Sequence, residues 1–382
     1  MSPLGITVRD GAVIVGPDHQ VSEVGPDGLV GQLTPDGLPA DPVPPVTLVV
    51  SGGLLAWPWD VGPDGLDPDA TLTRPPVVVL EDVASAQEWL WALYGRDAAL
   101  AAADAAAPPH TAAPTNAAVA PVVDCAPGLE WLPAAAARFA FGTWLSAWWP
   151  ASTTDGIPAL DPAVLRAELD PLGARLDLLF DGAGPPLPAV VTLWRPASDR
   201  YALAAGPAGD GPAAAVGVSV STGVCGTWWS DLPPGWVDAS DRAVSWRLLQ
   251  DLDHWWLQVR AAAGPVVVAT EARLVADTPG RRVELGPDSD AFGRCWLGEA
   301  TGTEPGPAPG RVRLYLPGFA PENRAVRSAE HWHESVRALA RTRLAAASTP
   351  SDPTADTRLS GPGPAVTDPW QAERTAATDD DY

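Results

Sequence analysis

The chain has 382 residues, of which 44 are Pro and 36 Gly, and it carries a net charge of −23. It contains no Lys, so all 24 cations are Arg; that excludes the P-loop lysine, the kinase phosphate lysine and any lysine Schiff base. The negative surplus repels nucleic-acid phosphates and anionic headgroups, so no nucleic acid and no membrane are expected as partners.

The apolar share is 46%, but 66 of those residues are Ala, so strong core formers are sparser than the share suggests. Trp (18) is twice Phe (5) plus Tyr (4). Cys125, Cys225 and Cys295 are too far apart for a disulfide framework or a zinc pair and read as free thiols. No metal or cofactor is expected. The first residues carry Arg9 and Asp10 and no apolar run, which predicts no export signal and a cytoplasmic chain. Charge is uneven: residues 1–135 hold 17 acids against 3 Arg, whereas 270–347 hold 10 acids against 11 Arg.

In chain order, residues 1–106 predict a small β-rich region ending in a strand and a helix. Ile6–Val8 and Ala12–Val15 flank Asp10-Gly11, a hairpin signal. The hexamer Val24–Leu29 recurs at Leu33–Leu38 and Val61–Leu66, each with Pro-Asp-Gly, a turn in which Gly takes positive φ. Val77–Leu80 reads as a strand. Residues 81–107 read as one helix capped by Ser85, with Trp89, Leu90, Leu93 and Tyr94 on one side.

Residues 107–121 are a Pro/Ala linker. Residues 122–187 predict a Trp-rich helical region: Phe141, Trp144, Leu145 and Trp148 share a helix face, Pro150 ends that helix, and Pro171 is placed to kink or restart the next. Residues 188–320 switch to period two. Val244, Trp246 and Leu248, then Trp255, Leu257 and Val259, predict a hairpin with one buried face. Further strands are predicted at 189–194, 200–205, 215–221, 266–276, 282–285, 295–298 and 311–316. The whole predicts an antiparallel β-sandwich or barrel. Residues 321–347 predict an amphipathic helix with Trp332, Val336, Leu339 and Ala340 lining one face and Arg327, Arg337, Arg341 and Arg343 as polar residues. Residues 348–382 hold 7 acids and 2 Arg and read as a disordered acidic tail. The class is α+β.

Several fragments bear on chemistry. Cys225-Gly-Thr-Trp228 resembles part of a thiol-protease signature, but Thr227 stands where the nucleophile belongs, so a strand cysteine is expected. His331 and His333, at i and i+2 on a helix, diverge by about 200° and cannot share one ion; a solvated helix start is expected. Asp251, Asp253 and His254 read as turn residues. Leu232–Ser240 reads as a local motif without an attached chemistry.

These features predict a non-catalytic interaction or adaptor protein, a component of a larger assembly. It would grip a protein partner, a basic one where the acidic front docks, through Trp and Arg side chains. Trp149, Trp229 and Trp256, each the second of an adjacent Trp pair, are the candidate binding residues. The alternative is a hydrolase or carbohydrate-binding β-sandwich with a Trp-lined acidic cleft.

Overall fold

The computed structural model describes residues 4–9, 12–17, 43–62, 65–107, 125–180, 218–251, 254–266, 268–278, 280–290, 293–302, 312–319, 332–349 and 365–378. The chain divides into two units. One comprises Met1–Ala147, Pro162–Ala189 and His331–Ala372; the other comprises Trp148–Asp161, Val190–Glu330 and Glu373–Tyr382. The class is α+β, with an antiparallel sheet in each unit.

The first unit is built on a five-stranded sheet in the order β1 (Leu4–Arg9), β2 (Ala12–Pro17), β7 (Val77–Leu80), β4 (Gly53–Trp57), β3 (Val46–Val50). β1 and β2 pair antiparallel with Arg9 opposite Ala12; the Asp10-Gly11 turn between them lies outside the described residues. All four residues of β7 are buried. It lies between β2 and β4 with both faces covered, which is why its sequence is apolar without alternation. The third hexamer forms the small pair β5 (Val61–Gly62) and β6 (Gly65–Leu66), and Gly65 has φ +106° as the turn chemistry requires. The other two hexamers, at 24–29 and 33–38, lie outside the described residues.

After α1 (Pro68–Leu72), the helix predicted over 81–107 is two helices, α2 (Val83–Tyr94) and α3 (Arg96–Ala106). Gly95, at φ 86°, turns the chain between them. The cap is Asp82, not Ser85. Extended backbone at Asp82 lets its carboxylate accept from the N–H groups of Ala84 (3.0 Å) and Ser85 (3.3 Å), and the Ser85 hydroxyl donates to it. The hydrogen bonds from Ser85 hold the Asp82 carboxyl below the usual carboxylate range. A lowered folded-state value means the cap acts above the ordinary carboxylate pKa and is lost as pH falls through the lowered one. Asp82→Ala is therefore expected to lower the melting temperature at neutral pH, with the difference from the parent shrinking as pH falls below the ordinary carboxylate range; a thermal melt at each pH checks this.

Trp89, Leu90, Leu93 and Tyr94 are all buried. The indole N–H of Trp89 donates to the Ser51 carbonyl, and the Tyr94 hydroxyl donates to that of Pro76. Burial pushes the Tyr94 hydroxyl far up, so it stays a donor.

α4 (Leu132–Trp148) ends just before Pro150, and its Phe141, Trp144 and Leu145 are buried as the spacing predicts, while Trp148 is half-buried. Trp59 meets Trp144 edge-on at 5.0 Å, and both indoles donate to the one carbonyl of Pro44 (2.9 and 2.8 Å). α5 (Pro162–Arg175) runs continuously through Pro171, and α6 (Asp177–Phe180) follows.

α7 (His333–Ala347) buries Trp332, Val336, Leu339 and Ala340 on one side. Two of its polar residues, Arg337 and Arg343, are buried all the same, 3% and 5% exposed. Arg337 reaches out to the exposed Glu334 (3.0 Å), and Arg343 lies over the buried Phe141 ring (4.9 Å). Arg341 is exposed. Arg327 lies outside the described residues.

The disordered-tail expectation is corrected over residues 365–378. Trp370 is fully buried, and α8 (Gln371–Thr378) follows. One large aromatic among small polar residues supplies the burial that composition alone does not reveal.

The second unit holds a seven-stranded sheet in the order β14 (Arg313–Tyr315), β11 (Leu274–Thr278), β12 (Arg281–Asp290), β13 (Gly293–Gly302), β10 (His254–Ala262), β9 (Val244–Asp251), β8 (Val218–Cys225). Of the two expected arrangements it takes the barrel-like one: a single sheet curled into a half-barrel. The β9–β10 register sets Leu248 opposite Leu257 and Trp246 opposite Val259. Val244, Trp246, Leu248, Leu257 and Val259 are buried; Trp255, at the hairpin end, is half-buried. The strand predicted at 266–276 begins only at Leu274, because the Val266 N–H bonds the Gly235 carbonyl instead of a neighbouring strand. The strands predicted at 189–194 and 200–205 lie outside the described residues.

The curl brings the two sheet edges together. The Cys225 thiol on β8 points to the Val312 carbonyl beside β14 (3.7 Å). Asp231, in the short turn after β8, pairs with Arg313 on β14 at 2.7 Å, and both side chains are buried. The Asp231 carbonyl also accepts from the Leu316 N–H (3.1 Å).

Candidate interaction surface

The polar groups that converge inside the second unit are closed on one another. Asp238 is buried. Its carboxylate accepts from the Ser152 hydroxyl (2.8 Å), the Thr153 N–H (3.0 Å) and hydroxyl (3.1 Å), and the Ser240 N–H (2.9 Å). Ser152 in turn accepts from the Asp155 N–H (3.0 Å). The neighbouring Trp236 stacks on Trp296 at 5.8 Å, and the Trp296 indole donates to the Trp236 carbonyl. The Leu232–Ser240 motif is therefore a knot that ties residues 152–155 to the sheet.

The fragments singled out in the sequence do not assemble into a centre. Cys225 ends β8, half-buried, and Thr227 is buried. His333 is buried edge-on to Trp332 at 4.6 Å, which corrects the solvated helix start; His331 lies outside the described residues. His254 is exposed beside Trp256, ring centroids 6.4 Å apart, and Asp253 lies outside the described residues. Among the described residues no group of three or more His, Cys, Asp or Glu is placed to hold a metal ion.

The three candidate Trp residues are each half-buried. Trp149 donates its indole N–H to the Pro158 carbonyl (2.8 Å), which ties it to its own segment. Trp229 opens the short turn that carries Asp231. Trp256 points away from the face that carries Leu257 and Val259, opposite Leu249 and Thr301.

Among the described residues, the Trp most open to solvent is a different one. Trp91, on α2, is 53% exposed. It follows Ala84 and Glu88 at helical spacing, and all three are exposed, as are Glu81 and Asp82 at the helix start. The result is an acidic stripe with a large apolar ring at its end, on the side of α2 opposite Leu90 and Leu93. The signal was present in the sequence. Once Trp89, Leu90, Leu93 and Tyr94 define the inner face, Trp91 falls outside it.

No family model matches the chain, and no curated protein or solved structure is significantly similar to it. Among the described residues no helix is long and apolar enough to cross a membrane.

Proposed function

We propose that this chain is a non-catalytic interaction module of a multi-protein assembly, and that the acidic face of α2 docks a basic protein partner around Trp91. The observation that carries it is the exposure of Trp91, 53%, at the end of a stripe with Glu88. An indole left half in water is a large apolar area waiting for a cover, and Trp is the residue most enriched among binding hot spots. The carboxylates around it choose the sign of the partner and speed its encounter. The uneven charge supports the same direction, since residues 1–135 carry 17 acids against 3 Arg.

Gentle capture from native lysate should recover a defined basic partner whose binding weakens as salt is raised. Trp91→Ala should weaken that binding at least ~30-fold, the range of a hot-spot truncation of ~2 kcal/mol or more. Glu88→Arg should slow association with little effect on dissociation. Recovery of no partner, or equal recovery by a folded Trp91→Ala chain, overturns the proposal.

A further inference from the structure

Residues 365–370 are held in the first unit as a bound peptide is held. The Arg138 guanidinium, on α4, donates to the carbonyls of Ala365 (2.8 Å), Val366 (3.4 Å) and Asp368 (3.0 Å). Arg343, on α7, donates to those of Thr367 (3.1 Å) and Asp368 (3.4 Å). Glu168, on α5, accepts from the Gln371 N–H (2.6 Å), and Asp69, on α1, accepts from the Thr367 hydroxyl. The fixed fork of a guanidinium suits it to gather several carbonyls of an extended segment.

The same Arg138 lies over the Trp370 ring at 4.1 Å. The ring fills a slot that exists because residue 142 is glycine: a Cβ there would stand 2.7 Å from the Trp370 ring and 2.8 Å from Leu169. Body side chains thus recognise backbone carbonyls, one hydroxyl and one indole.

The segment is also shaped in advance. The Asp368 carboxylate accepts from the Ala365 N–H (2.8 Å), the Asp368 N–H donates to the Ala365 carbonyl (3.1 Å), and Pro369 restricts the residue before it. A ligand that arrives already turned loses little freedom on binding.

We infer that the groove between α4, α5 and α7 is a recognition site for a turn-forming Thr-Asp-Pro-Trp peptide, and that residues 365–371 of this chain are its resident, exchangeable ligand. In the sequence, residues 350–364 connect that ligand covalently to the rest of the chain. Covalent connection makes its binding intramolecular, so the site is occupied by its own tail until a peptide of the same chemistry outcompetes it or the connection is cut. None of the α2 residues takes part, so this site and the acidic face stand or fall separately.

The test uses the full chain with a protease site inserted after Gly361, cut after folding. A labelled synthetic peptide of residues 362–382 is added and its anisotropy followed. The expected result is saturable exchange with the resident fragment. Unlabelled peptide should compete, and peptide carrying Trp370→Ala should compete at least ~10-fold more weakly, as loss of an anchoring aromatic implies. The cut chain carrying Arg138→Gln should bind the labelled peptide more weakly by a similar factor. No exchange while the near-ultraviolet spectrum stays native overturns the inference. Loss of that spectrum as the fragment leaves overturns it equally, because the tail is then part of the core. In the uncut chain, Trp370→Ala should open the site to labelled wild-type peptide; a folded variant that binds none, or a variant that unfolds, also overturns it.

Discussion

Asp231→Ala is expected to lower the unfolding free energy of the second unit by ~3–5 kcal/mol, the cost of breaking a buried ion pair by removing one partner. Asp231 and Arg313 meet at 2.7 Å with side chains 2% and 3% exposed, so little water screens them. Removing the carboxylate leaves the Arg313 guanidinium inside the protein beside the Tyr315 ring, 4.9 Å away. It also loosens the place where the turn after β8 meets β14. A melting temperature about 10 °C lower is the corresponding shift. The Asp231→Leu, Arg313→Met double variant should recover most of the loss, because apolar residues of similar volume replace such pairs at little cost. A double-mutant cycle in denaturant decides: additive single effects would mean that the pair does not hold the edges of the sheet together.

Asp238→Ala is the second large effect, expected at ~3 kcal/mol or more. Four donors, from Ser152, Thr153 and Ser240, end on this one carboxylate, and each buried donor left without an acceptor costs about 1–3 kcal/mol. The loss is less than the sum of four because the 152–155 segment can open to water. Asp238→Asn should cost roughly half as much, since its amide keeps one accepting oxygen. Chemical denaturation followed by near-ultraviolet dichroism reads the difference, and equal stability of Asp238→Ala and the parent would mean that the knot carries no load. Asp231 and Asp238 belong to the same unit, so a chain carrying both replacements is expected to populate an unfolded second unit at room temperature.

The two ends of the structure differ in how far local pattern reached. The β9–β10 hairpin was legible because one face of it is buried and the pleat alternates with a period of two, so the residues themselves report the register. The inner face of α2 was legible for the analogous reason at 3.6 residues per turn, and the same wheel leaves Trp91 outside. The break at Gly95 was missed because a glycine within an Ala-rich run costs a helix only about 1 kcal/mol, too little to force a boundary unless packing takes advantage of it. The candidates Trp149, Trp229 and Trp256 were chosen as members of pairs, but adjacency separates faces only on a strand. Trp149 follows the end of a helix and Trp229 begins a short turn, so for these two the rule had no purchase.

By itself the amino-acid order determined the α+β class, most strand and helix positions, the chemistries closed to a chain without lysine, and the acidic front. Those follow from short-range periodicity and from counts. Only the tertiary structure decided that residues 365–370 dock on α4, more than two hundred positions earlier, that Arg138, Arg337 and Arg343 lie inside, and that the strands of the second unit form one curled sheet rather than a stacked pair. A buried cation or a docked tail depends on partners brought together by folding, carbonyls and rings remote in sequence, and local pattern has no term for them.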